Sequence, residues 1–157
     1  MQLTSVEFQE GAEIPAKFTS DGDNVSPELS WKDAPPTAKS FVLVMHDPDA
    51  PREGGFTHWV AYNIGPGVGH IEEGVPEGQE IKGIGLQAKN EAGKLGYVGP
   101  APPSGVHRYF FKLYALDCML DVVPGADFHE IQAAIKGHVL AQAEVMGTYE
   151  KKAERAA

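Results

Sequence analysis

Carboxylate, imidazole and phenol side chains stand beside stiff loops at three places in this 157-residue chain. The first is the run Asp47-Pro48-Asp49-Ala50-Pro51, in which proline rings fix φ at two positions. His58 follows seven residues after Pro51, and His107 and Tyr109 come after a run rich in glycine and proline. Such groups can bind an anion, orient one another or exchange protons. Their types and positions predict one small polar pocket.

Taken singly, each of these side chains has an ordinary explanation. An aspartate in a turn commonly accepts a hydrogen bond from a turn N–H, and a histidine is more often a surface or core residue than a functional one. Alternation along a strand would put His107 and Tyr109 on one face and Arg108 on the other. Several such groups at strand ends together favour a binding site.

Three short runs rich in β-branched and aromatic residues must position these groups. They are residues 40–46, 59–64 and 109–116, each bounded by turn-forming residues. Helices do not alternate regularly with these runs, so a doubly wound parallel sheet is disfavoured. The pattern predicts an all-β fold with a largely antiparallel core and with helices at its periphery and C-terminus.

The C-terminal segment has a helical pattern. Asp127 and Glu130 resemble a capping box, and Gly137 divides the segment into two predicted helices. Three apolar residues recur at helical spacing in the second helix: Val139, Ala143 and Met146. This stripe is expected to pack on the sheet.

The charge of the whole chain limits its partners. With 22 acidic against 13 basic residues, the formal net charge is −9, and such a surface repels nucleic acids and anionic lipid surfaces. We therefore expect no nucleic-acid partner. A small anion remains compatible with this charge, because local N–H groups, imidazoles and hydroxyls can bind it inside an acidic protein.

Length and hydropathy predict one compact domain over residues 1–157, with 42% hydrophobic residues to build a core. No run approaches the ~18 consecutive apolar residues of a membrane span, and residues 1–5 lack the pattern of a secretory signal. We expect no transmembrane segment and a cytoplasmic location. The only cysteine is Cys118, so neither an intramolecular disulfide nor a cage of several cysteines can form. No metal or cofactor is expected.

The motifs resemble those of the phosphatidylethanolamine-binding proteins, in their bacterial, Raf-kinase-inhibitor-like branch. The resemblance rests on residues 47–51, on Thr57-His58-Trp59 and on residues 99–109, and it extends to residues 21–27 and 137–143. It implies a β-sandwich-like fold with short peripheral helices and a surface cavity for phosphate-type groups. The residues that would line this cavity are Asp47, Pro51, Phe56, His58, Gly99, Pro102, Pro103, His107 and Tyr109.

The resemblance also implies a ligand, a small anion or a phospholipid head group. Imidazole and phenol hydrogens, together with backbone N–H groups near Gly99, would bind phosphate oxygens. Asp47 would either orient a histidine or meet the ammonium of an ethanolamine head group. The sequence departs from the family pattern at Ala101, at Glu91-Ala92-Gly93 in place of Asp-Phe-Gly, and at Thr57 in place of a histidine. The kinase-inhibiting role of the eukaryotic branch is not carried over.

Three functions remain open on the sequence. The first is a non-catalytic binding protein whose occupancy regulates a protein partner. The second is a hydrolase of phosphate or other esters acting through Asp47, His58 and His107, either by acid–base chemistry or with a metal. Asp47-Pro48-Asp49 resembles the nucleophile motif of haloacid dehalogenases, but that fold needs parallel strands. The third is a protein interaction module with a vestigial cavity, and a homodimer also remains open.

Overall fold

The structure is a computed structural model that describes residues 1–152. In chain order its strands are β1 (Gln2–Thr4), β2 (Leu29–Lys32), β3 (Ser40–Asp47), β4 (Phe56–Ile64), β5 (His70–Ile71), β6 (Glu80–Ile81), β7 (Gly85–Gln87), β8 (His107–Leu116) and β9 (Val139–Tyr149). A 3₁₀ helix spans Ala16–Phe18, and helix α1 spans Phe128–Ala134. The three strands expected from the sequence are present as parts of β3, β4 and β8.

The strands form two antiparallel sheets. The smaller sheet has the order β1-β2-β5, and the larger has the order β6-β7-β4-β3-β8-β9. Apolar side chains from both sheets meet in one buried cluster, in which the rings of Trp31 and Phe41 lie 5.7 Å apart. Complete burial of one large apolar side chain contributes about 1.5–3 kcal/mol. The expected sandwich-like antiparallel fold is confirmed.

The other face of the larger sheet carries a second apolar cluster. Val42, Val44, Val60 and Tyr62 point to that face, where Ile131 of α1 packs against them. Because nearly every residue of β3 is buried, this central strand reads as a continuous apolar run rather than an alternating one. Two covered faces hold the strand ends rigidly.

The first predicted C-terminal helix is confirmed. It is α1, and the side chain of Asp127 accepts a hydrogen bond from the N–H of Glu130, with N and Oδ1 3.0 Å apart. This bond satisfies one of the N–H groups that a helix leaves unpaired at its start. No helix in residues 1–152 is long and apolar enough to cross a membrane.

The prediction of a second C-terminal helix was wrong, because Val139–Tyr149 is the strand β9. This strand pairs with β8 along nearly its whole length, from Val139 opposite Leu116 to Tyr149 opposite His107. Burial deepens at every second residue towards its end, at Val145, Gly147 and Tyr149. The helical stripe is absent, since Val139 is exposed. Backbone pairing with β8 outweighed the helix propensity of the alanine-rich segment.

Candidate ligand-binding site

A cavity of about 280 Å³ lies at the ends of three neighbouring strands of the larger sheet. The antiparallel pairing brings the end of β3 beside the beginnings of β4 and β8, with Asp47 opposite Phe56 and His46 opposite Phe110. All nine residues expected from the sequence line this cavity: Asp47, Pro51, Phe56, His58, Gly99, Pro102, Pro103, His107 and Tyr109. Five further residues line it: Ala50, Arg52, Ala92, Val98 and Ala101.

Asp47 and His107 form a buried pair in the cavity wall. Nδ1 of His107 lies 2.7 Å from Oδ2 of Asp47, and the two residues are 7% and 3% exposed. The carboxylate can only accept, so His107 donates its Nδ1 proton. Oδ1 of Asp47 accepts a hydrogen bond from the N–H of Asp49 at 2.7 Å. Each carboxylate oxygen thus accepts one hydrogen bond, and the bond from His107 fixes the orientation of that ring.

His58 is held in one orientation by the backbone. Its Nδ1 donates to the carbonyl oxygen of Val98 at 2.7 Å, and its ring meets the Phe56 ring edge-on at 4.9 Å. Burial lowers the pKa of His58 below its ordinary value, although the bond to Val98 favours the charged form. At neutral pH the imidazole is therefore uncharged, with Nε2 as a hydrogen-bond acceptor.

Tyr109 lies between the two histidines. Its ring centroid is 5.3 Å from that of His58 and 6.4 Å from that of His107. Within residues 1–152 its buried hydroxyl makes no hydrogen bond. Burial raises the pKa of this phenol, and the charge of nearby Asp47 raises it further. The hydroxyl is a protonated donor close to the Asp47 carboxylate, but among the described residues it makes no hydrogen bond of ordinary geometry, which is rare for a buried polar atom.

A surface ion pair fixes the loop that carries Asp47. Asp49 accepts three hydrogen bonds from Arg108, one from the backbone N–H and two from the guanidinium, each at 2.9 Å. These bonds hold the pKa of Asp49 at about 2, below its ordinary value. Arg108 is exposed, while its neighbours His107 and Tyr109 are buried, so the expected alternation of faces is confirmed.

Gly99 lines the cavity, and its lack of a side chain allows close packing against residues 18–24. Its N–H donates to Oδ1 of Asn24 at 2.8 Å, and an added Cβ would lie 2.4 Å from that same oxygen. The N–H of Gly99 itself is therefore already engaged within the chain. Prolines at 100, 102 and 103 carry no N–H, which leaves Ala101 as the remaining backbone donor in residues 99–103.

Arg52 and Glu91 shape the mouth of the cavity. Nη2 of Arg52 lies 3.0 Å from Oε2 of Glu91, and its guanidinium carbon lies 5.5 Å from the centre of the Phe56 ring. Oε1 of Glu91 accepts the N–H of Thr57 at 2.8 Å. Arg52 brings the positive charge that the sequence analysis missed, although its position directly after Pro51 was a usable signal. Beside it Ala92 lines the cavity with a short side chain.

Thr57 does not line the cavity. It is fully buried on the opposite face of the sheet, where its Oγ1 lies 2.9 Å from Nδ1 of His46. Burial lowers the pKa of His46, so its neutral Nδ1 accepts from the Thr57 hydroxyl. A second cavity of about 330 Å³ lies on this face, lined by His46, Glu91, Phe128 and others. His46 and Glu91 are both already bonded to Thr57.

Comparison with known proteins gives consistent matches. The sequence profile of the family described as phosphatidylethanolamine-binding protein matches residues 4–150. A UPF0098 protein of Methanothermobacter thermautotrophicus is 47% identical over 151 residues, covering 96% of this chain and 99% of the relative. A UPF0098 protein of Aquifex aeolicus is 44% identical over 154 residues, covering 96% and 89%.

Two crystal structures have similar folds. A phosphatidylethanolamine-binding protein homologue from Chlamydia trachomatis is 44% identical, with a TM-score of 0.88 and coverage of 96% of this chain and 97% of that one. YbcL of E. coli, described as a member of the mammalian family, is 29% identical with a TM-score of 0.88, covering 96% and 98%. The similarity extends over nearly the whole chain in each case.

Proposed function

The chain belongs to the phosphatidylethanolamine-binding protein family, and on that premise we propose that it is a non-catalytic protein that binds a small anion in the cavity of about 280 Å³. The ligand is phosphate or a phosphoethanolamine-type head group. Occupancy of the cavity regulates a protein partner. The proposed location is the cytoplasm.

The observation that carries this proposal is a cluster of buried polar side chains in an otherwise apolar cavity. Asp47, His58 and His107 are 3%, 6% and 7% exposed, and the buried hydroxyl of Tyr109 makes no hydrogen bond of ordinary geometry in the described part of the chain. Burying such groups costs free energy that folding alone does not require. A cavity with convergent polar groups of this kind is the usual form of a ligand site.

The hydrogen-bonding and charged groups around the cavity suit an anion that can bind in either a protonated or a deprotonated form. Neutral His58 presents an acceptor to a protonated phosphate oxygen, and it becomes a donor when it is protonated. Tyr109 offers a donor. Arg52 brings a guanidinium to the mouth, where its charge is paired with that of Glu91, and the bond from His107 partly neutralises Asp47, which would otherwise repel the ligand.

Titration calorimetry tests the proposal. We expect heat of binding with phosphate and with phosphoethanolamine, and loss of that heat in His58→Ala and in His107→Ala. His129→Ala is the matched control, because His129 is exposed and does not line this cavity. Vesicles that contain phosphatidylethanolamine would show whether a whole lipid binds or only its head group.

Two results would overturn the proposal. One is the absence of binding heat for both anions, or heat that neither variant changes. The other is turnover of a phosphate or carboxylate ester that Asp47→Asn abolishes, since this would make the cavity an active site. Light scattering tests separately whether the chain forms a homodimer.

A further inference from the structure

Three residues with metal-binding side chains meet where the end of strand β8 lies beside the start of strand β9. They are Asp117, Cys118 and His138, and one possible ligand atom from each lies within 4.8 Å of the others. Asp117 and Cys118 directly follow β8, and His138 directly precedes β9. About twenty residues separate them along the chain, so only the pairing of the two strands brings them together.

We propose that Asp117, Cys118 and His138 form a binding site for a divalent transition-metal ion of the zinc type. Thiolate, imidazole and carboxylate are the three kinds of ligand that zinc takes in proteins. This site is separate from the anion cavity, because the cluster lies at the opposite end of β8. Ten residues of strand separate the two places, a distance of about 30 Å.

The backbone holds the three residues in place. The N–H of Asp117 donates to the carbonyl oxygen of His138 at 3.0 Å, and the N–H of His138 donates to that of Ile135 at 3.0 Å. The hydroxyl of Ser40 on β3 donates to the carbonyl oxygen of Cys118 at 2.6 Å. Binding a metal would thus require side-chain rotation but little movement of the chain, and a pre-formed site binds at a smaller cost in entropy.

The distances between the ligand atoms are compatible with one ion. Tetrahedral zinc bonds of about 2.1 Å to nitrogen and oxygen and about 2.3 Å to sulfur separate neighbouring ligand atoms by roughly 3.5 Å. In the structure Nδ1 of His138 and Oδ1 of Asp117 are 2.8 Å apart, and all three ligand atoms lie within 4.8 Å. A small rotation would open the first distance towards that spacing.

Solvent reaches this cluster. The side chains of His138 and Asp117 are 45% and 47% exposed, and Cys118 is partly buried. Exposed side chains can rotate without disturbing the core, and water can complete the coordination. Three protein ligands with an open fourth position differ from closed four-ligand structural sites, which hold a fold together.

Cobalt provides a direct test, because a thiolate bound to Co²⁺ gives a charge-transfer absorption that water-bound Co²⁺ lacks. The chain would be produced without a histidine tag, stripped with a chelator and titrated with Co²⁺ and then with Zn²⁺. We expect one ion per chain, a thiolate absorption that Cys118→Ser abolishes, and at least tenfold weaker zinc binding in His138→Ala. His129→Ala, which changes an exposed histidine outside the cluster, should behave like the unchanged chain.

The proposal is overturned if Co²⁺ produces no thiolate absorption. Zinc affinity that is unchanged in Cys118→Ser, or binding that needs Cys118 but not His138, would also overturn it. Circular dichroism of each variant would show that the fold is retained. This is expected because His138 and His129 are exposed, and because Cys118→Ser changes one atom at the margin of the second apolar cluster.

Discussion

The hydrogen bond between Asp47 and His107 should be worth far more than an exposed bond of the same kind. The chain contains a matched comparison, since Asp117 and His138 make a bond of nearly equal length, 2.8 Å against 2.7 Å. The first pair is almost fully buried, and the second is about half exposed. Burial is the main difference between the two pairs.

The magnitudes follow from that difference. A hydrogen bond to a charged group that is shielded from water contributes about 1.5–3 kcal/mol. An exposed ion pair contributes about 0.2–1 kcal/mol. We therefore expect a coupling free energy of about 2 kcal/mol for Asp47 with His107 and less than about 1 kcal/mol for Asp117 with His138.

Double-mutant cycles measure these coupling energies. Each cycle compares the free energy of urea unfolding of the unchanged chain, the two single alanine variants and the double variant, with a chelator present to exclude metal at Asp117 and His138. Asp47→Ala also removes the bond from the N–H of Asp49, but that loss occurs on both sides of the cycle and cancels. A coupling in the buried pair no larger than in the exposed pair would refute the reasoning.

Of two further predictions, the first concerns the loop beside Asp47 and the second concerns the cavity. Gly55→Ala should destabilise the chain by at least about 2 kcal/mol more than Gly54→Ala in urea unfolding. Both glycines have positive φ, but only at Gly55 would an added Cβ meet backbone, 2.3 Å from the carbonyl oxygen of Asp47. Equal losses of stability in the two variants would contradict this. Sulfate, which stays a dianion, should bind more tightly as the pH falls from about 8 to about 6, with affinity rising at most tenfold per pH unit. The reason is that burial lowers the pKa of His58, whereas a bound anion raises that pKa again. Calorimetry should show proton uptake and a shallower slope in His58→Gln, whereas pH-independent affinity would be the contrary result.

The cavity was accessible from the sequence because its residues lie in short, stiff motifs at strand ends. Asp47, His58 and His107 each stand at the end of an apolar run, and antiparallel pairing places such ends together. The alternation of His107, Arg108 and Tyr109 followed from the geometry of any strand.

What the sequence analysis missed depends on contacts between distant segments. Asn24 accepts a hydrogen bond from the N–H of Gly99, which is 75 positions away in the chain. No local sequence pattern indicates that bond. Glu91 similarly reaches Thr57 and Arg52 from a loop. These contacts decide which cavity groups remain available to a ligand.

The error over β9 has a different physical origin. Alanine favours helices in isolation, and Val139, Ala143 and Met146 happen to have helical spacing. In the folded chain β8 offers a row of backbone groups that pairs with this segment at nearly every residue. Tertiary pairing of this kind overrides local propensity, and a single sequence gives no direct signal of it.

The proline-rich wall of the cavity has a consequence for the rate of ligand exchange. Three of the residues from 99 to 103 are prolines, and on the opposite side Arg108 holds the loop that carries Asp47 and Pro51. Segments with fixed φ angles have little freedom left to lose when a ligand arrives. Any ligand that this cavity takes can therefore enter and leave without waiting for a loop to fold or open, so association should approach the limit set by diffusion.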